Sequence, residues 1–156
     1  MLSIFIGFGG AKAEEVAKKL ENFLLVETRM NVFLGSPKSA SLPANAHDFI
    51  ARINKQMIER HFAIFVCHEG TNKSEAMIDE IKLLFSKNLE YKIIIFSASD
   101  ECIPSEFRTR LWRPLHFNPK KPEDSFCRLA NEIYRSYIER KEPYTVVAEN
   151  EEIPLQ

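Results

Sequence analysis

Short apolar runs alternate along this chain with longer stretches in which apolar residues recur three or four positions apart. The short runs predict strands, because unbroken β-prone segments of this length are typical of strands that are buried on both faces. The longer stretches predict helices with one apolar and one charged face. The predicted strands are residues 2–8, 30–34, 62–67, 91–96 and 115–117, and the main predicted helices are 11–25, 47–60, 72–85 and 123–140.

Local signals in the sequence predict the start of the third helix, a further short helix and the end of the domain. Asn72, with Glu75 three residues later, is a helix-start pattern and predicts that the third helix begins there. Residues 106–112 predict a further short helix. From Lys141 onward the composition becomes acidic and aperiodic, which indicates a tail or linker. The sequence therefore predicts a domain over residues 1–140 and a tail over 141–156.

Strands that alternate with helices predict an α/β fold with an open parallel sheet. Ligands bind to such sheets at the carboxyl ends of the strands. The loops expected there are 9–10, 36–45, 68–74 and 97–104. The 36–45 loop is proline-bearing and longer than usual, and loops of this length are often functional.

Composition narrows the class of protein. The chain has 156 residues, 45% of them hydrophobic, which suits one globular domain with a substantial core. Its formal net charge of −1 provides no basic surface for nucleic acid. We expect neither a leader peptide nor a membrane span, since the first residues lack a charged segment and no apolar run is long enough. Three widely spaced cysteines are typical of a reducing compartment. We expect a cytoplasmic protein without direct contact to membrane or nucleic acid.

Several familiar catalytic patterns are incomplete in this chain. The turn Gly7–Gly10 matches neither the dinucleotide-binding nor the P-loop glycine pattern. Ser74 lacks the G-x-S-x-G context of a hydrolase nucleophile. The four histidines are not paired with cysteines or carboxylates at ligand spacing, so we expect no metal site. His68 with Glu69 could line a cleft, although a solvated loop is the simpler interpretation.

Glu80 occupies an unusual position in the third helix. Met77, Ile81 and Leu84 lie on its apolar stripe, and Glu80 lies at the edge of that stripe. The residues three and four positions away from Glu80 are apolar, so no cation on the same helix neutralises its carboxylate. Such a carboxylate lies either at a wet boundary or in a cleft, and we favour the cleft.

Several motifs resemble the TIR domain, the Toll/interleukin-1 receptor family, over residues 2–140. Residues 5–8 (FIGF) resemble the first-strand motif F-I-S-Y of that family. Residues 32–34, followed by 42–45 (LPAN), resemble its second strand and proline-bearing loop. Residues 74–81 reproduce the spacing of S-x-W-C-x-x-E-L, with Ala76 for Trp and Met77 for Cys. The resemblance implies a flavodoxin-like three-layer fold with a five-stranded parallel sheet of order 2-1-3-4-5.

The resemblance also implies a chemistry. In the enzymatic branch of the family, the glutamate of this motif cleaves NAD at the nicotinamide–ribose bond, and this catalytic role falls on Glu80. NAD is then the substrate and no cofactor is implied. The products are nicotinamide and ADP-ribose, or a cyclic ADP-ribose signal in cell defence. Residues expected to bind substrate are Gly7, Phe8, Gly9, Leu42, Pro43, His68, Ser74 and Met77.

The same family implies partners and leaves alternatives open. TIR domains commonly self-associate through the loop that corresponds to 36–45, so we expect a homo-oligomer and, in a defence system, a partner protein. Many TIR domains act only as interaction modules, which is one alternative. A second is a nucleoside deoxyribosyltransferase-like enzyme, since residues 68–71 (HEGT) followed by Glu80 are similar to the D-E-G-T…E segment of those enzymes. Those enzymes also break N-glycosidic bonds with a glutamate.

Overall fold

The computed structural model describes residues 1–35, 46–108 and 114–147, with backbone alone at 46–47 and 140–147. The strands are β1 (Ser3–Gly9), β2 (Asn31–Leu34), β3 (Phe62–Cys67), β4 (Ile93–Ser97) and β5 (Leu115–His116). The helices are α1 (Ala11–Glu27), α2 (Ala46–Glu59), α3 (Glu75–Ser86) and α4 (Phe126–Val147). Short 3-10 turns occupy Thr71–Lys73, Glu90–Lys92, Asp100–Cys102, Ser105–Phe107 and Pro122–Ser125.

Five strands among the described residues form one sheet with the order β2-β1-β3-β4-β5. Every neighbouring pair is parallel, with Gly7 opposite Phe65 and Cys67 opposite Ser97 in the register. The predicted parallel sheet and its order are therefore confirmed, and the fold is flavodoxin-like. This order brings the carboxyl ends of β1 and β3 together at the centre of one sheet edge.

Side chains that alternate along β1 separate the core into two layers, because successive strand residues point to opposite faces. Ile4, Ile6 and Phe8 face one layer, which α1 and α4 cover. Phe5 faces the other layer, which α2 and α3 cover. Both faces of the central strands are thus buried, which explains why β1 and β3 are apolar without alternation.

The fourth strand begins at Ile93, later than predicted, because Glu90–Lys92 form a 3-10 turn. Lys92 in this turn is buried, and its Nζ donates a hydrogen bond to the Ile58 carbonyl oxygen at 2.6 Å. That carbonyl lies in the last turn of α2, where backbone oxygens have no partner within the helix. The Lys92 side chain therefore links the end of α2 to the turn that precedes β4.

Three other predictions differ from the structure. The described part of the predicted 106–112 helix is only the 3-10 turn Ser105–Phe107, and residues 109–113 lie outside the described residues. The final helix continues to Val147, so its predicted end at residue 140 is wrong, while 148–156 lie outside the described residues. Ile50, predicted on the apolar face of α2, is 52% exposed. The predicted 36–45 loop lies outside the described residues.

Candidate functional site

The end of β1 is in close contact with the start of α3. A β-carbon built on Gly9 would lie 2.6 Å from the Ser74 Cβ and 2.8 Å from its Oγ. No side chain fits at that distance, so glycine is what allows the two backbones to approach each other. The structure thereby brings together two residues that the sequence predicted as substrate-binding.

Thr71 is a buried residue that stabilises this contact between β1 and α3. Its side chain is completely buried, and its hydroxyl donates a hydrogen bond to the Gly9 carbonyl oxygen. The Thr71 hydroxyl oxygen also accepts a hydrogen bond from the His68 backbone N–H at 2.8 Å. We did not predict a site role for Thr71. The sequence signal for it is a threonine directly after Gly70 in the connection from a buried strand to a helix.

Ser74 is the N-cap of α3. The Ser74 hydroxyl oxygen accepts a hydrogen bond from the Met77 backbone N–H at 3.3 Å, and α3 begins at Glu75. The predicted start at Asn72 is therefore wrong, because Asn72 lies in the 3-10 turn that precedes the cap. Ser74 itself is extended, with φ of −79° and ψ of 106°, which separates the turn from the helix.

Glu80 lies on the flank of α3 opposite the one that contacts the segment after β4. Met77, Ile81 and Leu84 face the sheet side of the helix, where they are buried. Phe85 stacks on Phe107 at a ring-centroid distance of 6.4 Å, so that flank of α3 faces the segment after β4. Glu80 is about 140° around the helix from Phe85, on the opposite flank. It is therefore directed toward the half of the sheet that β1 and β2 form.

The carboxyl group of Glu80 is electrostatically unfavourable as an anion. The side chain is half-buried, and within the part of the chain that the structure describes no hydrogen bond or ion pair reaches it. Burial, together with the smaller effect of the adjacent Asp79 carboxylate, raises the pKa of Glu80 from 4.5 to about 8. A carboxyl with such a pKa, at one flank of an otherwise apolar stripe, is a candidate functional group.

Three predicted substrate-binding residues are part of the core. Phe8 is buried beneath α1, on the opposite side of the sheet from α3. A β-carbon on Gly7 would lie 2.9 Å from the Phe65 ring, so Gly7 makes room for that ring. Met77 is fully buried, with its sulfur 3.9 Å from the Cys67 sulfur. These three residues lie beneath the site and do not line its surface.

His68 follows β3 and lies at the same sheet edge. Its ring contacts Phe117 edge to face, with centroids 5.7 Å apart. Burial and the nearby Lys12 cation lower the pKa of His68, so the ring is neutral at neutral pH. Glu69, the next residue, is exposed and forms an ion pair with Lys12, which lowers the pKa of Glu69. This pair joins the start of α1 to the turn after β3, and we did not predict it.

The predicted 97–104 loop reaches the same sheet edge, where its 3-10 turn Asp100–Cys102 packs against the turn Thr71–Lys73, and two other predicted residues cannot be placed. Asp100 in the 97–104 loop contacts His116 at 2.8 Å, at the carboxyl ends of β4 and β5. Leu42 and Pro43 lie outside the described residues. Among the described residues, no group of three or more histidine, cysteine or carboxylate side chains is arranged to hold a metal ion.

The fold and its sheet edge define a flavodoxin-like α/β protein, a class in which ligands bind where the carboxyl ends of the strands meet. No protein-family model matches the chain, and no curated protein matches it significantly. None of the helices that the structure describes is long and apolar enough to cross a membrane.

Proposed function

We propose that this protein cleaves the nicotinamide–ribose bond of NAD, with Glu80 as the catalytic residue. The observation that carries the proposal is the Glu80 carboxyl itself, which is half-buried, lacks a polar partner among the described residues, and has its pKa raised to about 8. A purely structural glutamate is normally fully exposed or paired with a cation. The resemblance of residues 74–81 to the catalytic TIR motif assigns the same residue.

The raised pKa of Glu80 suits a cationic substrate. At neutral pH the carboxyl is mostly protonated, because burial disfavours its charged form. The nicotinamide ring of NAD carries a positive charge, which would lower the pKa of a carboxyl beside it. Binding therefore releases the proton of Glu80, and the new carboxylate is formed only where the substrate lies.

The bond cleavage then requires no general acid. The electron pair of the N-glycosidic bond moves to the ring nitrogen, and nicotinamide leaves as a neutral molecule. The ribose C1′ becomes oxocarbenium-like, as in glycoside hydrolysis, and the Glu80 carboxylate stabilises this charge in a partly apolar setting. Water adds to C1′ and loses one proton, which gives ADP-ribose. Attack by a nitrogen of the adenine ring instead of water gives a cyclic product.

Release of nicotinamide by the purified protein tests this proposal. We expect Glu80→Gln to lower the rate about 10²-fold or more, because the amide keeps the size of the side chain but cannot carry the negative charge. Glu75→Gln is the matched control, since Glu75 is exposed in the first turn of the same helix. Equal rates in the wild type and in both variants would exclude Glu80 from the reaction.

A second candidate function is that of a non-enzymatic interaction module. It is favoured by apolar side chains that the fold leaves exposed, including Val26 at 61%, Ile138 at 56% and Ile50 at 52%. Exposed apolar residues mark a surface for another protein where they form a contiguous patch. If the wild type releases no nicotinamide at any protein concentration but self-associates in light scattering, this candidate replaces the first.

A further inference from the structure

We propose that Thr71 is a positioning residue that sets the place of α3, and with it Glu80, against the end of β1; the inference rests on the proposed function. Thr71 is one of the few polar side chains that are completely buried among the described residues. It lies in the turn between β3 and α3, and its hydroxyl is used as donor and acceptor at once.

The hydroxyl joins two strands beyond their last backbone pair. Gly9 and Cys67 are the final partners in the β1–β3 register. Beyond that pair, the Thr71 hydroxyl donates a hydrogen bond to the Gly9 carbonyl oxygen. It also accepts a hydrogen bond from the His68 backbone N–H at 2.8 Å. Valine has the same shape but offers neither bond, so Thr71→Val leaves the Gly9 carbonyl oxygen and the His68 N–H without these partners.

The same turn sets the first residue of α3. The Thr71 carbonyl oxygen accepts a hydrogen bond from the Ser74 N–H at 2.9 Å. The Thr71 methyl carbon lies 3.1 Å from the place of a β-carbon on Gly9, and the Ser74 Cβ lies 2.6 Å from that place. Thr71 and Ser74 therefore enclose Gly9 together, and the N-cap of α3 is fixed relative to β1.

The helix transmits this placement to Glu80. Ser74 and Glu80 are separated by about 9 Å along the axis of α3, a distance over which an α-helix moves as a rigid unit. The next contact along the helix, between Met77 and Cys67, joins two soft sulfur groups and tolerates small shifts. A displacement at the cap is thus carried to the carboxyl, where misplacement by about 1 Å can cost about 10²-fold in rate.

Two substitutions and a control test the proposal. Thr71→Val removes both hydrogen bonds, Thr71→Ser keeps the hydroxyl, and Thr28→Val is the control, since the Thr28 hydroxyl bonds to the Leu24 carbonyl oxygen at the far end of α1. We expect Thr71→Val to lower kcat for nicotinamide release about tenfold or more with KM unchanged, while Thr71→Ser and Thr28→Val stay within about twofold.

A second readout does not depend on activity. The carboxyl carbon of Glu80 is followed by ¹³C NMR as pH is raised, which gives its pKa directly. We expect Thr71→Val to move this pKa toward its ordinary value, because a displaced α3 changes the burial of the carboxyl. Thr71→Ser and Thr28→Val should titrate like the wild type. If Thr71→Val does not fold, Gly9→Ala displaces Ser74 from the other side and should change the titration in the same way.

The two readouts separate the two proposals. A folded Thr71→Val variant with an unchanged Glu80 titration and unchanged kcat would overturn the role of Thr71. So would a variant in which KM alone rises, because that would indicate a role in ground-state binding. If the wild type releases no nicotinamide while the titration shifts in Thr71→Val, the proposed reaction fails and the positioning role stands.

Discussion

The Ser74 hydroxyl oxygen accepts a hydrogen bond from the Met77 backbone N–H at 3.3 Å, and this contact defines the first turn of α3. It satisfies one of the backbone donors that a helix start leaves without a partner in the helix. Because the same serine is in contact with Gly9 of β1, the cap also joins the helix to the sheet.

Loss of this cap should destabilise the protein. We expect Ser74→Ala to lower the free energy of unfolding by about 1 kcal/mol, measured by urea denaturation. Asn72→Ala is the matched control, and we expect it to cost less than about 0.5 kcal/mol, since Asn72 lies in the preceding turn. If the asparagine variant were the more destabilised of the two, the cap assignment would be incorrect.

Crowding at Gly9 should be costly. We expect Gly9→Ala to lower the free energy of unfolding by about 1–3 kcal/mol, because the new methyl group would overlap Ser74. Gly70 provides a contrast, since its φ of 92° is left-handed while a β-carbon there meets no atom within 4 Å. Gly70→Asn should therefore cost less than Gly9→Ala, because asparagine is among the residues that best accept a left-handed conformation. Chemical denaturation of both variants checks the difference, and equal losses would contradict it.

The raised pKa of Glu80 makes stability depend on pH. Between pH 4.5 and about 8 the folded protein holds a proton on Glu80 that the unfolded chain has released. The free energy of unfolding therefore falls as pH rises through this interval and changes no further above it. Glu80→Gln has no ionisable group at this position, so its free energy of unfolding does not fall for this reason. Because the side chain keeps some contact with water, we expect the variant to be about 1–2 kcal/mol more stable at pH 8 and nearly equal to the wild type at pH 4.

Thermal or urea unfolding across pH 4–9 measures this difference. Glu75→Gln, on the exposed part of the same helix, should follow the wild type at every pH. A constant offset between the wild type and Glu80→Gln at all pH values would contradict the proton linkage, although it would leave the position of Glu80 unchanged.

Activity should depend on the same ionisation. For a reaction that needs the Glu80 carboxylate, kcat/KM for nicotinamide release rises with pH and levels off above about 8, the pKa of Glu80 in the free protein. Asp79→Asn removes the neighbouring charge that raises this pKa, so the rise in kcat/KM should move to lower pH. A profile that is flat from pH 6 to 9, or one that Asp79→Asn leaves in place, would argue against Glu80 as the ionising group.

The sequence by itself determined which segments form the sheet and the main helices of this protein. Unbroken apolar runs and helical spacing located each strand and the main helices, because burial on both faces of a parallel sheet leaves that pattern in the residues. The strand order 2-1-3-4-5 followed from the family resemblance and is confirmed. The apolar neighbours of Glu80 on its own helix were also evident from spacing alone.

Only the tertiary structure decided how the elements meet. Asn72 and Ser74 are both residues that favour a helix start, and contact with Gly9 together with the turn at Thr71 selects Ser74. The family motifs included Phe8 and Met77, but motif spacing could not tell which face of the sheet each would join. Burial is the main cause of the raised pKa of Glu80, and that burial depends on elements that are distant in the chain.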